Sequence, residues 1–333
     1  MINPWLQFII SAAVIVCAGS RLTKNAAIVA DHIGIGTAWV GALMLPLATS
    51  LPELVTTLRA VTIDTPDLAV GNIFGSCLYN LALLALIDLL EGRGALTARV
   101  GKGHIVPASL SVISVCLASI AMLGITGIKI GWVSFETLLI AFLYFYGSRL
   151  LFKYEKKNQP ALSGIEEPAE SGNISGGRAL LNFGIAALFI VAAGVLVTDA
   201  LDIIAVETGL GHTFVGSLFL AVSTSLPETV TTVSAVRLGY LDMAVANVFG
   251  ANFMNLFIIF IADAVYRRGL LLHSVTGAHL FSALLVILIS TVIIFGLTYR
   301  STRRKARVGP DTMLALAGYL LAMLILFRSG GNF

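Results

Sequence analysis

Two glutamates, Glu53 and Glu228, stand deep inside long apolar stretches. An acidic side chain at such a depth in a bilayer costs about 2.5–3.5 kcal/mol to insert. Each closes the same pentapeptide, TSLPE, at 49–53 and again at 224–228. The preceding proline, Pro52 or Pro227, lacks a backbone donor and clashes one turn back. It therefore interrupts a helix and frees carbonyl oxygens near 46–49 and 221–224. Thr49 and Thr224 lie four residues before the glutamates, and Ser50 and Ser225 lie three before. On a helix these project to the glutamate's face. Carboxylate, hydroxyl and carbonyl oxygens on one patch are hard ligands, suited to cations such as Ca²⁺ or Na⁺ and unsuited to soft metals.

A second set lies downstream. Asn72, Ser76 and Asn80 are spaced i, i+4, i+8, and Asn247, Ala251 and Asn255 repeat the spacing. Their amide and hydroxyl oxygens are placed to close a cation cage against the two glutamates. Asn72, Asn247 and the flanking Gly71, Gly75 and Gly250 suit helix packing as well as ion binding and are left out of the site. Asp67 and Asp242 sit at helix starts and are read as caps or dipole partners. Glu136 and Asp88 are read as packed or helix-end residues without a repeat partner. The five histidines and the cysteines Cys17, Cys77 and Cys116 show no metal-ligand spacing. An odd cysteine count without CxxC gives no disulfide framework.

The elements that must hold these groups follow from composition. The chain of 333 residues is 57% hydrophobic and only 12% charged. A soluble domain carries about 25% charged residues, so a water-soluble enzyme and a nucleic-acid-binding chain are both excluded. Apolar runs near 4–22, 35–60, 66–90, 104–125, 128–152, 178–200, 210–237, 241–265, 273–297 and 310–328 predict ten membrane-spanning helices. The runs are continuous and do not alternate, which excludes a β-barrel. With the N-terminus outside, the inside loops collect sixteen of the twenty-one Lys and Arg residues. The positive-inside rule then places both termini outside. Residues 153–177, rich in charge, Gly, Ser and Pro, read as a flexible cytoplasmic linker.

An offset of 175 aligns the two halves without gaps. Of the 34 pairs between 48–81 and 223–256, 18 are identical. The organisation predicted is a five-helix repeat over 1–152, the linker 153–177, and a second repeat over 178–333. Five is odd, so the second copy must enter the membrane from the opposite side. The expected fold class is thus an all-α integral membrane protein of ten transmembrane helices in two inverted repeats, with helices 2 and 7 interrupted. This is an architecture of secondary transporters, which hold substrate at the repeat interface near the midplane.

At TSLPE…GNIFGSCLYN and TSLPE…ANVFGANFMN the chain resembles the cation/calcium exchanger superfamily, in its prokaryotic sodium/calcium exchanger branch. The resemblance covers essentially the whole chain and implies exchange of Ca²⁺ for Na⁺. It assigns Glu53 and Glu228 to both ions, with Thr49 and Thr224 completing the Ca²⁺ site. Ser50, Ser76 and Ser225 match Na⁺ ligands, and Asn80 and Asn255 match polar residues beside the central site. Pro46 and Ala221 fall where the family donates a backbone carbonyl. The first and sixth spans resemble the pair that slides to switch access. Two departures stand out. Ala251 replaces a serine of the family pattern, and Asn252 beside it is turned about 100° away along the helix. Asn255 stands where potassium-dependent relatives carry aspartate, which argues against K⁺ dependence.

The expectation is an antiporter at the cell membrane, not an enzyme. It needs no cofactor, binds no nucleic acid and calls for no partner beyond the transported ions and the bilayer, so a monomer suffices. No GxxxxGK[ST] phosphate loop is present. Proton-coupled Ca²⁺ exchange is the nearest alternative, and a cation channel with the two glutamates at its constriction is a more distant one.

Overall fold

Backbone polar groups facing lipid must satisfy one another, and the apolar runs accordingly fold as helices. The computed structural model describes residues 3–34, 36–92, 94–162, 174–207, 222–299 and 309–328. We label the helices α1 (Pro4–Ile33), α2 (Thr37–Thr49), α3 (Leu51–Thr62), α4 (Pro66–Glu91), α5 (Ile105–Met122) and α6 (Phe135–Leu162). They continue as α7 (Gly176–Glu207), α8 (Leu226–Arg237), α9 (Leu241–Val265), α10 (Ala278–Tyr299) and α11 (Pro310–Arg328). The only strands among the described residues, Lys129–Ile130 and Val133–Ser134, form a short antiparallel hairpin before α6. Among the described residues, seven helices are long and apolar enough to cross a bilayer, or eight when α2 and α3 are counted as one bent span. The chain is therefore a multi-pass, all-α membrane protein. Part of the expected span 210–237 lies outside the described residues, as does Ala221. Helix α6 runs on to Leu162, ten residues past the expected end of the first repeat, because Lys153, Glu155, Lys156 and Lys157 are good helix formers.

Helix starts recur at the repeat spacing. Adding 175 to Leu51, Pro66 and Phe135 gives Leu226, Leu241 and Pro310, the first residues of α8, α9 and α11. α4 and α9 are buried along most of their length and form the centre of the bundle. α1 and α7, of 30 and 32 residues, lie along each other at its side. At 1.5 Å per residue each is about 45 Å or longer, beyond the bilayer core of about 30 Å. Their outer faces carry exposed Ile9, Ile10, Val16, Leu181, Leu188 and Phe189, an apolar surface for lipid.

Glycines set three crossings. A Cβ on Gly250 of α9 would fall 2.1 Å from the Ala42 carbonyl oxygen, and one on Gly41 of α2 would fall 2.5 Å from the Met243 carbonyl. The backbones of α2 and α9 are thus in direct contact, where residues Val40–Met44 of α2 wind as a π-helix. A Cβ on Gly19 of α1 would meet Val230 at 2.7 Å, and one on its repeat mate Gly194 of α7 would meet Pro52 at 2.5 Å. The two long helices therefore rest directly on α8 and α3.

The halves are stitched by bonds that occur in duplicate. Asp88, at the end of α4, accepts from the backbone N–H groups of Leu96 and Gly309, both at 2.9 Å, and from the Thr312 hydroxyl. Asp263, at the end of α9, accepts from the N–H groups of Leu271 and Ser134, both at 2.8 Å, and from the Thr137 hydroxyl at 2.7 Å. Every residue of one set is 175 from its counterpart in the other. This corrects the expectation that Asp88 has no repeat partner, and Glu136 likewise has Asp311 at the matching position. Asp67 accepts from Thr276 N–H at 2.8 Å and meets His279 at 3.0 Å. Asp242 accepts from Gly101 N–H at 2.7 Å and meets His104 at 2.5 Å. These two aspartates lie in first turns as expected, yet they bind the other repeat instead of capping their own helices.

Candidate functional site

The site forms where α2 gives way to α3 and where α8 begins. Ser50 and Ser225 leave helical geometry in the same way, with φ/ψ of −85°/9° and −86°/8°. Pro52 and Pro227 then open the next helix, a position where the missing N–H costs nothing. The axes of α2 and α3 differ by 44°. The break puts Glu53 in the first turn of α3 and Glu228 in the first turn of α8. There the unpaired amides and the helix dipole favour a negative charge. Both glutamates are inaccessible, at 0% and 1% exposure. Among the described residues neither forms an ion pair with a basic side chain.

The two breaks exchange hydrogen bonds. The Ser50 hydroxyl donates to Glu228 Oε1 at 2.9 Å, and the Ser225 hydroxyl donates to Glu53 Oε1 at 3.0 Å. Position i contacts j while j's mate contacts i's mate, which is the pattern a two-fold axis imposes. Ser76 of α4 also donates to Glu53 Oε1, at 3.5 Å. Thr49 turns its proton back to the Leu45 carbonyl at 3.1 Å, which leaves its oxygen as an acceptor. Thr224 donates to Asn72 Oδ1 at 3.4 Å. The Pro46 carbonyl accepts Ser50 N–H at 2.9 Å and keeps one lone pair. Asn80 and Asn255 are fully buried, from α4 and α9 respectively. Ala251 is buried opposite, with a methyl where its mate Ser76 has a hydroxyl.

What marks this cluster is what its oxygens lack. Glu53 Oε2, Glu228 Oε2, Asn80 Oδ1 and Asn255 Oδ1 are buried without a hydrogen-bond donor, as is Asn247 Oδ1 nearby. An unpartnered carboxylate oxygen in a low-dielectric interior is costly, and a bound cation is what offsets that cost. The available ligands are all oxygens, from carboxylates, amides and hydroxyls. Among the described residues no three His, Cys, Asp or Glu side chains gather into a metal cluster. The donor set fits a hard cation.

Comparison with known proteins places the chain. The sequence profile described as "Sodium/calcium exchanger protein" matches residues 3–151 and 178–328. The chain belongs to this family. Among its relatives is the inner membrane protein YrbG of Escherichia coli, 28% identical over 262 residues, spanning 78% of this chain and 79% of the relative. The sodium/calcium exchanger MaX1 of Methanosarcina acetivorans is 27% identical over 283 residues, spanning 77% of this chain and 81% of the relative. Among solved structures, the sodium–calcium exchanger NCX_Mj superposes with a TM-score of 0.74 over 98% of this chain and 99% of that one, at 20% identity. This last likeness establishes the fold.

Within that fold, spacing arguments pass over three polar groups beside the site. Asn72 donates to Thr57 at 3.2 Å while accepting from Thr224, so it ties α4 to α3 and to the second helix break. Asn247 donates to Thr231 at 3.1 Å and Thr232 at 2.9 Å. Asn252 bonds Asn80 directly. The residue spacing within one helix cannot reveal these, because each contact crosses between helices. The sequence signal that was available is the recurrence of Asn72 as Asn247 in the repeat.

Proposed function

We propose that this protein is a secondary antiporter that exchanges Ca²⁺ for Na⁺ by alternating access, using one shared set of oxygen ligands near the membrane midplane. The observation that carries the proposal is the pair of repeat-matched, fully buried glutamates, each with one oxygen bonded across the repeat interface and one left over. In this reading Glu53, Glu228, Thr49 and Thr224 hold Ca²⁺. Ser50, Ser225 and Ser76 complete the positions Na⁺ occupies, Asn80 and Asn255 lie beside the central cation, and Pro46 and Ala221 donate backbone carbonyls.

The physics of exchange follows from burial. Two carboxylates facing a dry interior repel each other and resist occlusion until cations neutralise them. The loaded carrier therefore switches access readily and the empty one slowly. Both ions need the same glutamates, so one displaces the other and their movements are coupled. α1 and α7, seated on α8 and α3 through Gly19 and Gly194, are the elements whose sliding opens the site to one side or the other.

We further propose ten spans in two inverted repeats, both termini outside and the segment 153–177 cytoplasmic. The duplicated contacts support this topology. Asp242 reaches Gly101 and His104, and Asp88 reaches Leu96 and Gly309, all assigned inside by the Lys and Arg distribution. Asp67 reaches Thr276, and Asp263 reaches Ser134 and Leu271, all assigned outside.

Vesicles containing the purified protein test the function. Sodium loaded inside should drive Ca²⁺ uptake, and Glu53→Gln should abolish it. Uptake driven equally well by a pH gradient without Na⁺ would establish proton coupling instead. Passive Ca²⁺ flux that needs no counter-ion would overturn the antiporter.

A further inference from the structure

Asn80 and Asn255 occupy matched positions, yet their amides are held differently. Asn252 Nδ2 donates to the Cys77 backbone carbonyl at 3.2 Å, and Asn80 Nδ2 donates to Asn252 Oδ1 at 3.1 Å. The orientation of this chain is forced. A carbonyl oxygen can only accept, so Asn252 must turn its NH₂ toward Cys77 and its oxygen toward Asn80. Asn80 must then answer with its own NH₂, and its Oδ1 is left pointing away without a donor. On the other side the residue matched to Asn252 is Cys77, whose thiol lies beside Asn255. A thiol is a weak partner that fixes neither edge of an amide. Apart from that thiol, Asn255 has no hydrogen-bond partner at Oδ1 or at Nδ2.

We infer that Asn252 is a positioning residue that locks the Asn80 amide with its oxygen toward the cation, making the first-repeat side of the site preset and leaving the Asn255 side adjustable. The inference rests on the cation-exchange reading of the site. It also assigns work to Asn252, which by helix position points about 100° from its neighbour Ala251. Asn252 acts through α4, not by reaching the ion. A ligand already oriented loses less freedom when the ion arrives, so the effect falls on binding and not on the switching step.

The test is a double-mutant cycle on Ca²⁺ affinity, read by equilibrium ⁴⁵Ca²⁺ binding and by the KM of Na⁺-driven uptake. Asn252→Ala should weaken Ca²⁺ binding about three- to tenfold, the weight of one fixed buried hydrogen bond. It should raise KM by the same factor while the maximal rate stays within about twofold. In an Asn80→Ala background the same change should do almost nothing, because the group it positions is gone. An equal loss in both backgrounds would make Asn252 a structural residue and overturn the proposal, as would unchanged affinity in the wild-type background. If Asn252→Ala is not recovered folded, Asn252→Ser, whose shorter side chain cannot span to both Cys77 and Asn80, gives the same comparison with the same expected and overturning results. A wild type that binds no Ca²⁺ overturns the cation-exchange reading itself, and that result appears before any substitution is compared.

Discussion

The periphery and the centre of this molecule treat its internal repeat differently. At the helix ends the two copies nearly agree, the exception being a Thr276 hydroxyl bond to Asp67 that Gly101, its repeat mate, cannot make. Asp88 and Asp263 each gather two backbone N–H groups and a threonine hydroxyl, and Asp67 and Asp242 each hold a backbone N–H and a histidine. At the centre the glutamates and their serine partners agree, but the next ring of residues does not. Ser76 is matched by Ala251, and Cys77 by Asn252. On the exchange reading proposed above, the scaffold stays symmetric because both halves move alike. The ligand ring is then free to diverge, because two kinds of ion need not be held by identical oxygens.

The largest expected effect tests the part of the centre that is symmetric. Glu53→Gln and Glu228→Gln each remove a charge from the same buried site, and each should reduce Ca²⁺ uptake by about a hundredfold or more. Equal losses would place the two carboxylates on equal terms. A variant that kept normal uptake would show that the second repeat's carboxylate, or the first's, is not a ligand.

Next come the symmetric clamps. Asp88→Asn and Asp263→Asn each put an NH₂ where donors already point, leaving at least one buried N–H without an acceptor. Each should cost about 2–3 kcal/mol of stability, read as a lower unfolding temperature in detergent. The comparison is sharpened if the two losses match within about 1 kcal/mol. It breaks if one substitution is silent, since that would make one clamp dispensable.

The long helices supply a smaller, graded effect. Gly194→Ala drives a methyl into the Pro52 ring, which cannot rotate aside, whereas Gly19→Ala meets Val230, which can change rotamer. Overpacking of this kind costs about 1–3 kcal/mol. The maximal exchange rate should fall further for Gly194→Ala than for Gly19→Ala. Gly184→Ala, on the same helix with nothing within 4 Å of the added carbon, should leave the rate unchanged. Equal rates for all three would mean that the contacts of α1 and α7 with the site helices do not limit switching.

How much of this could be read from the chain alone depends on the kind of contact. Glu53 and Glu228 announce themselves by depth, by the adjoining prolines and by recurrence. The helix break at Ser50 follows from Pro52, and the ligand set on the glutamate's face follows from helical spacing. The exchange of bonds between Ser50 and Glu228 does not, because nothing local says that the two breaks meet. Asp263 was legible and is easily missed. It lies at the same 175-residue offset from Asp88, but beyond the densely identical stretch that draws attention to the repeat. Asn252 misleads for a geometric reason. Judging it by its angle from Ala251 considers only the face of α9, while its partner Asn80 approaches from α4.

The smallest effect is the one that asks whether the asymmetry matters. Ala251→Ser restores on α9 the hydroxyl that Ser76 supplies on α4. Ala251 is fully buried, so the added oxygen enters the site without solvent to satisfy it. By repeat symmetry its nearest acceptor is Glu228, as Glu53 is for Ser76. A hydroxyl there would add one hard ligand on the side where Asn255 is unanchored. Its weight is about one neutral hydrogen bond, roughly 1 kcal/mol, or fivefold in an equilibrium constant. On the proposed reading, which has the two carboxylates hold Ca²⁺, its binding should change little. Sodium should gain about two- to fivefold in apparent affinity, and the dependence of Ca²⁺ uptake on internal Na⁺ should steepen if a further ion is now carried. The Hill coefficient for Na⁺ separates the two cases. A tighter but equally steep curve means the hydroxyl strengthens an existing site, and a steeper one means Ala251 had removed a site. No change in either would show that the second repeat tolerates alanine because no ion approaches this position.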